Sequence, residues 1–478
     1  MEKYIEATRP PLYRAMKYWG KKPHNIWSEL IKKYTKPNDI VLDPFAGSGV
    51  SFLESIRLNR KPVAVDINPV SNFILDVYQH NYDIDYISEL AINIIHKAKN
   101  LTLYKKNFRT ICNNCGYETD VYNYVWDNNE TTHFSYKCSN CKRTISERFK
   151  TRQYYVESLG CWEPTYDLSN LSSIHKNTLV KLGGNDFRNL WTERNFQLLV
   201  YIFEQINKIN EPYKNVLLFA FLQIVHLTSK MCASRSEHSN RPLSTSWGRP
   251  AYMALTKFME QNPVIQFERS IFSKNGIINA FISRKSYIAE YSISKSTNFF
   301  EKDGIVLNKN FLDVELDENV DFIITDPPYG DIIQYGELSL IWNLWLVKSL
   351  PEYKIDLSNE IIINNEKDAE SYKNELYHSF IKCYNLLKEN GYMIFTFNSS
   401  KYSNWKLLKD ILFALPFNIE DIHLQVNRRT GEANVGAKDG TSISDYYIVL
   451  KKSTENKNKI VMLTKLEKML KEGGKVID

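Results

Sequence analysis

The stretch VLDPFAGSG, Val41–Gly49, is a short apolar run that ends in an acid and turns through two glycines. Asp39–Asp43 reads as a β-strand and Ser48–Arg60 behind it as a helix. Pro62–Ile67 (PVAVDI) is a second strand, ending in Asp66, with a helix starting near Asn68. This strand–helix–strand–helix rhythm predicts a parallel sheet, hence an α/β fold. In a doubly wound sheet, ligands bind beyond the carboxyl ends of the strands, and Asp43, Pro44, Phe45, Gly47 and Gly49 fall there. Glycine lets the backbone approach a ligand, and a helix N-terminus offers free N–H groups. Asp66 follows about 20 residues on, the spacing at which a carboxylate accepts hydrogen bonds from ribose hydroxyls. S-adenosylmethionine and a nicotinamide dinucleotide both fit that pattern, and so does a loop merely shaped by its glycines.

Outward from this motif the rhythm breaks. From about Asn81 to Thr297 the alternation is lost, and it resumes with Val320–Asp326 (VDFIITD) and Gly391–Asn398 (GYMIFTFN). Further strands are predicted near Ile419–Val426 and Asp445–Lys451, and helices over Ser371–Lys388 and Trp405–Leu415. One sheet interrupted by a large insertion is the simplest account. Residues 1–80 and 301–455 then form a discontinuous catalytic domain, 81–300 the insertion, and 456–478 a Lys-rich tail.

With 478 residues, two or three domains are expected. A 43% hydrophobic and 24% charged composition is that of a soluble globular chain, and the net charge of +6 is too mild to imply a partner by itself. There is no basic-then-apolar leader and no apolar run near ~18 residues, so export and membrane spanning are not expected. Seven cysteines without an export signal point to a reducing, cytoplasmic setting, where paired CxxC spacing means metal more often than disulfide.

The second informative string is TDPPYGD, Thr325–Asp331, directly after an apolar strand. Asp326 offers a carboxylate, Pro327 and Pro328 a stiffened backbone with a carbonyl acceptor, and Tyr329 an aromatic face. An exocyclic base amine is a poor nucleophile because its lone pair is delocalised into the ring. A site that turns both its N–H bonds toward acceptors, with the ring stacked on Tyr329 after flipping out of the duplex, aims that lone pair at an electrophile. The plain alternative is an ordinary turn.

Cys112-x-x-Cys115 and Cys138-x-x-Cys141 supply four thiolates, enough for a closed and therefore structural tetrahedral zinc, within a small ribbon at about 105–150. Gly116 and Lys142 follow the knuckles, as ribbon turns require. His133 between them reads as a sheet residue, and Cys161, Cys232 and Cys383 as buried small hydrophobes. Lys137, Lys142, Arg143, Arg148, Lys150 and Arg152 around the ribbon fit a phosphate-tracking face or a solvated rim equally. The polar run Ser234–Tyr252 carries Arg235, Arg241 and Arg249, which can reach phosphates or guanine edges, so it reads as a DNA-facing loop.

Lys22-Pro23, an amphipathic helix over His24–Tyr34 and then LDPFAGSG form a layout that resembles the amino-methyltransferases of DNA. The DPPY string resembles N6-adenine and some N4-cytosine members, its leading Asp favouring adenine, and Asp331–Leu346 with TFNSSKYSNWKLL looks like adenine-specific methylases that carry a zinc ribbon. The resemblance covers roughly Lys17–Val70 and Asp317–Lys451. It implies a class I methyltransferase (Rossmann-like) sheet and S-adenosylmethionine held by Asp43–Gly49 and Asp66, with Trp19, Lys21, Lys22 and Pro23 closing over it. A further acid at the cofactor adenine is expected around 310–313, where Asp313 is the only one. Enzymes that methylate carbon 5 of cytosine use a Pro-Cys pair, and no cysteine here follows a proline. The expected function is site-specific N6-adenine methylation of double-stranded DNA, alongside partner proteins of a restriction or defence system. The rivals are an N4-cytosine or RNA-base methyltransferase, and a DNA-binding module that no longer turns over.

Overall fold

The computed structural model describes residues 3–148, 154–162, 186–234, 252–297, 302–399, 401–426, 444–453 and 459–472. In chain order the strands are β1 (Lys3–Tyr4), β2 (Ile40–Asp43), β3 (Lys61–Val65), β4 (Arg109–Ile111), β5 (Glu118–Asp127), β6 (Glu130–Lys137) and β7 (Thr144–Arg148). They continue as β8 (Lys257–Gln261), β9 (Ile293–Ser294), β10 (Gly304–Leu307), β11 (Val320–Thr325), β12 (Leu387–Phe397), β13 (Asn418–Val426) and β14 (Ser444–Lys451). Nine make one sheet in the order β1-β13-β14-β12-β11-β2-β3-β10-β9, in which β14 alone runs against its neighbours. This is an α/β, Rossmann-like sheet.

Alternation along the strands explains the layering. Val41, Ala64, Phe322, Ile324 and Ile394 face one apolar core, while Leu42, Val63, Val65, Ile323 and Phe395 face another. Both faces are therefore buried, as parallel sheets require, and the strand text is apolar throughout rather than alternating. Helices His24–Tyr34, Val50–Arg57, Pro69–Tyr78 and Tyr335–Ser349 cover the first face. Ala369–Leu386, Tyr402–Ala414 and Lys459–Glu472 cover the second. The Lys-rich C-terminal tail is thus helical over Lys459–Glu472.

Strands β4 to β8 form a second, five-stranded sheet. The cysteine ribbon is not self-contained, because β8 pairs antiparallel with β5 from far along the chain. Arg194 seals this junction: buried, it donates to Glu260 and lies 4.1 Å over the rings of both Tyr124 and Tyr154. Helices Glu193–Asn207, Tyr213–Leu227 and Pro263–Phe272 bury their apolar sides in the same core as the first face of the large sheet. Among the described residues no helix is long and apolar enough to cross a membrane.

The short strands β1, β9 and β10 carry no sequence signal, since two to four residues cannot display a period. Strand β12 starts at Leu387, earlier than Gly391, because positive φ at Asn390 lets the chain bend without leaving the sheet.

Candidate active site

The chain reverses direction across the sheet between β2 and β11, which lie side by side with Phe322 opposite Val41. A crevice at that switch point is where α/β sheets bind ligands. One cavity of about 820 Å³, counting its open mouth, occupies it. Asp43, Pro44, Phe45, Gly47, Asp66, Trp19, Lys22, Asp326 and Pro328 all line it. The two distant motifs therefore meet. Pro23, Gly49, Pro327 and Tyr329 are not among the lining residues; Pro23 instead precedes helix His24–Tyr34 as its N-cap. Lys21 turns away altogether, donating to the Tyr13 carbonyl at 3.0 Å and to that of Met16.

Each acid at the cofactor end is fixed by neighbours. Asp43 accepts from Thr325 Oγ1 at 2.7 Å, from the Phe45 N–H at 3.1 Å and from Ser51. Those bonds tie β2, β11 and the following turn together, so Asp43 holds the loop's shape. Burial pushes its carboxyl up to about 7 against these donors. Asp66 takes the Gly47 N–H on one oxygen at 2.7 Å and the Asn68 N–H on the other at 2.8 Å. The Ser71 hydroxyl bonds to Asp66 as well, which leaves the carboxylate about one acceptor site for a further donor. Burial raises this carboxyl to about 6. Gly49, at φ +74°, starts helix Val50–Arg57 with Leu75 pressed against it.

At the other end of the cavity, Lys22 Nζ lies 3.0 Å from Asp326 Oδ1 and 3.2 Å from Asp445 Oδ2. Burial opposes the lysine's charge, but the two carboxylates outweigh it and hold it protonated. Asp326 Oδ1 also accepts from the Tyr329 hydroxyl and from Thr396 Oγ1. Its second oxygen faces Gly20, where an added Cβ would stand 3.9 Å away. Burial raises the Asp326 carboxyl above the ordinary range, with Lys22, Thr396 and Tyr329 holding it back. Tyr329 does not present an open face in this state: its ring packs 5.0 Å from Phe397 while its hydroxyl sits on Asp326.

Several neighbours escaped the sequence reading. Asp445 opens β14, and because β14 is antiparallel, its first residues reach the edge where the parallel strands end. An acid at the head of an apolar run was the available signal. Thr396, Tyr335 and the segment 359–361 carried none. Glu360 is buried there, its carboxyl raised to about 7 by desolvation while the Gly336 N–H steadies it. Near 310–313 the cavity meets Lys309, Asn310 and Phe311, not Asp313. Asn398 and Ser399 do not line it: Asn398 donates to Asp445 at 2.8 Å, and Ser399 accepts from the Lys401 N–H at 3.1 Å.

In the ribbon, the Sγ atoms of Cys112, Cys115, Cys138 and Cys141 all lie within 4.8 Å of one another. The pairs Cys112–Cys141 and Cys115–Cys138 stand 3.8 and 3.5 Å apart. Tetrahedral zinc with bonds of about 2.3 Å asks for sulfurs about 3.8 Å apart, so the cluster has the right size. Gly116 and Lys142 occupy equivalent left-handed positions, φ +71° and +60°, one after each knuckle. His133 lies on β6, and its Nε2 accepts from Arg148 at 3.0 Å. Cys232 and Cys383 are buried, but Cys161 is exposed, contrary to the expectation for an isolated cysteine. Arg235, Arg241, Arg249, Lys150 and Arg152 lie outside the described residues.

Residues 5–75 match the DNA methylase family, and residues 221–415 match the Eco57I restriction-modification methylase family. Over 82 residues the chain is 27% identical to the type II methyltransferase M.MjaII of Methanocaldococcus jannaschii, a stretch covering 17% of this chain and 16% of that relative. A class I S-adenosylmethionine-dependent methyltransferase structure from Listeria monocytogenes aligns over 40% of this chain and 42% of its own, at 13% identity and TM-score 0.18. The two family matches fall on both parts of the sheet that frames the cavity.

Proposed function

We propose that the chain transfers a methyl group from S-adenosylmethionine to the exocyclic N6 of adenine in double-stranded DNA. One observation carries this reading: Asp326, heading Asp-Pro-Pro-Tyr, shares a cavity with Asp66 and the Gly47 turn. Bound there, S-adenosylmethionine supplies an electrophilic sulfonium methyl. Asp66 would accept from its ribose hydroxyls, and Phe45 and Phe311, which line the same cavity in edge contact with each other, would offer apolar surface to its purine. Trp19, Lys22 and Pro44, which line the same cavity, would surround the rest, with Pro23 behind them setting the start of helix His24–Tyr34.

The target base enters by displacing the Tyr329 hydroxyl from Asp326. Asp326 and the Pro327 carbonyl then hold the two N–H bonds, Pro328 stiffens the turn, and the freed Tyr329 ring stacks on the base. Lys22 keeps Asp326 ionised, so that it accepts a hydrogen bond and takes the proton as the nitrogen becomes cationic. The four ribbon cysteines hold a structural zinc. Arg235, Arg241 and Arg249 meet the DNA, within an insertion (81–300) between the two catalytic parts (1–80 and 301–455).

Tritium transfer from labelled cofactor to mixed-sequence duplex DNA tests this, with Asp326→Ala as control and nucleoside digestion of the product. Label in N6-methyladenine that disappears in the variant is the expected result. Label in N4-methylcytosine moves the target base. No transfer by the parent protein removes the proposal.

A further inference from the structure

Beside the cavity lies a second, larger cleft of about 1410 Å³ counting its mouth, between residues 9–21 and helices Tyr213–Leu227 and Pro263–Phe272. Arg9, Arg14, Lys17, Lys21 and Arg269 line it, and among the described residues no aspartate or glutamate does. Arg14 and Arg269 are exposed, on different walls. The Arg269 guanidinium lies 4.9 Å over the ring of Tyr122, which steadies it. Arg9 is partly neutralised by Glu6 at 2.8 Å.

The interior of the cleft is unbalanced in charge. The Lys21 ammonium donates to the backbone carbonyls of Tyr13 and Met16, and burial together with Arg9 lowers it to about 7. Buried His226, on the same lining, is held well below its usual range by burial and by Lys17. Cationic walls without acids, in a low-dielectric concavity, focus potential on anions.

Position gives the anion its identity. Tyr18 lines both the cleft and the cofactor cavity, and its ring stacks 6.2 Å from Tyr335, another lining residue of that cavity. Trp342 lines the cleft and lies 5.0 Å from Trp19 in the cavity. A polyanion in the cleft is therefore one side chain's thickness from Asp326's pocket. Resting on the methyltransferase reading above, we infer that this cleft seats the phosphodiester backbone of duplex DNA beside the target base, with Arg14 and Arg269 as its outer phosphate contacts.

Counterion release makes this measurable, since each phosphate contact adds about 0.9 to the slope of log affinity against log salt. Labelled duplex DNA is titrated with the full-length zinc-loaded chain at several NaCl concentrations, using wild type, Arg14→Gln/Arg269→Gln and Arg14→Lys/Arg269→Lys. The glutamine pair is expected to flatten the slope by about 2. The lysine pair should restore it, and cofactor affinity by calorimetry should be equal in all three. An unchanged slope and affinity in the glutamine pair, with wild type still binding, overturns the cleft and leaves the methyltransferase reading intact. No DNA binding by wild type overturns both. A slope change with duplex RNA but not DNA, or cofactor affinity lost in both pairs, also overturns the cleft.

Discussion

Lys22 and Asp326 form an ion pair at 3.0 Å, joining the segment before the cofactor turn to the acid that heads Asp-Pro-Pro-Tyr. The lysine is shared with Asp445 at 3.2 Å, and the side chains are only 9%, 14% and 12% exposed in the order Lys22, Asp326, Asp445. Removing the cation leaves two carboxylates facing each other out of water. Lys22→Met is therefore expected to destabilise the protein by about 3–5 kcal/mol and to abolish methyl transfer. Urea unfolding with a parallel activity assay checks this; a loss below about 1 kcal/mol would mean that water screens the pair.

Cofactor binding should depend on pH through Asp66. Burial raises its carboxyl to about 6, so the ionised acceptor is present above that pH and is lost as pH falls through it. Affinity for S-adenosylmethionine is expected to fall between pH 7 and pH 5, about a tenfold change per pH unit at the steepest. Asp66→Asn should bind weakly at every pH with no such step from this residue. Calorimetry across that range decides; a step persisting in the variant assigns it to another group.

Tyr329 is expected to divide its roles between ring and hydroxyl. Tyr329→Phe keeps the ring while releasing Asp326 from the internal hydrogen bond, and should retain turnover within about tenfold. Tyr329→Ala also loses base stacking, about 1–3 kcal/mol more. Equal losses of kcat/KM in the two variants would refute a stacking role.

Gly49→Ala tests the cofactor turn itself. At φ +74° a side chain is strained, and the new Cβ would stand 2.4 Å from Leu75 Cδ2, against the core. The two penalties sum to about 2–5 kcal/mol, readable as a lowered Tm. A variant that melts within a degree of wild type would show that the turn yields easily.

The cysteine cluster should bind one zinc per chain, and chelation should lower Tm while leaving cofactor affinity intact, because the ribbon lies apart from the cavity lining. Lys142 sits at φ +60° where its counterpart is Gly116. Lys142→Gly is then expected to be neutral or to stabilise the zinc-loaded form by up to about 1 kcal/mol. Metal analysis and melting curves give both answers.

Local physics made the fold's frame legible. Ile40–Asp43, Lys61–Val65 and Val320–Thr325 are apolar runs ending at acids or turns, and His24–Tyr34 has helical periodicity from end to end. The CxxC pairs declared their cluster by spacing alone. What stayed illegible was set by partners far away in the chain. Asp445 reaches Lys22 only because β14 runs antiparallel to β12. Tyr329, exposed to a base in the sequence reading, is turned onto Asp326 by Thr396 and Phe397 around it.

The sequence by itself determined which chemistry is available: a carboxylate beside stiff prolines, a glycine turn with a following acid, and four paired thiols. Their types and short spacings fix donors, acceptors and backbone freedom before any folding. Tertiary structure decided which groups share one cavity and which turn away, as Lys21 does from its neighbour Lys22. The reason is that burial and counter-charge depend on distance in space, and a crossover sheet brings residues hundreds of positions apart to one edge while parting adjacent ones.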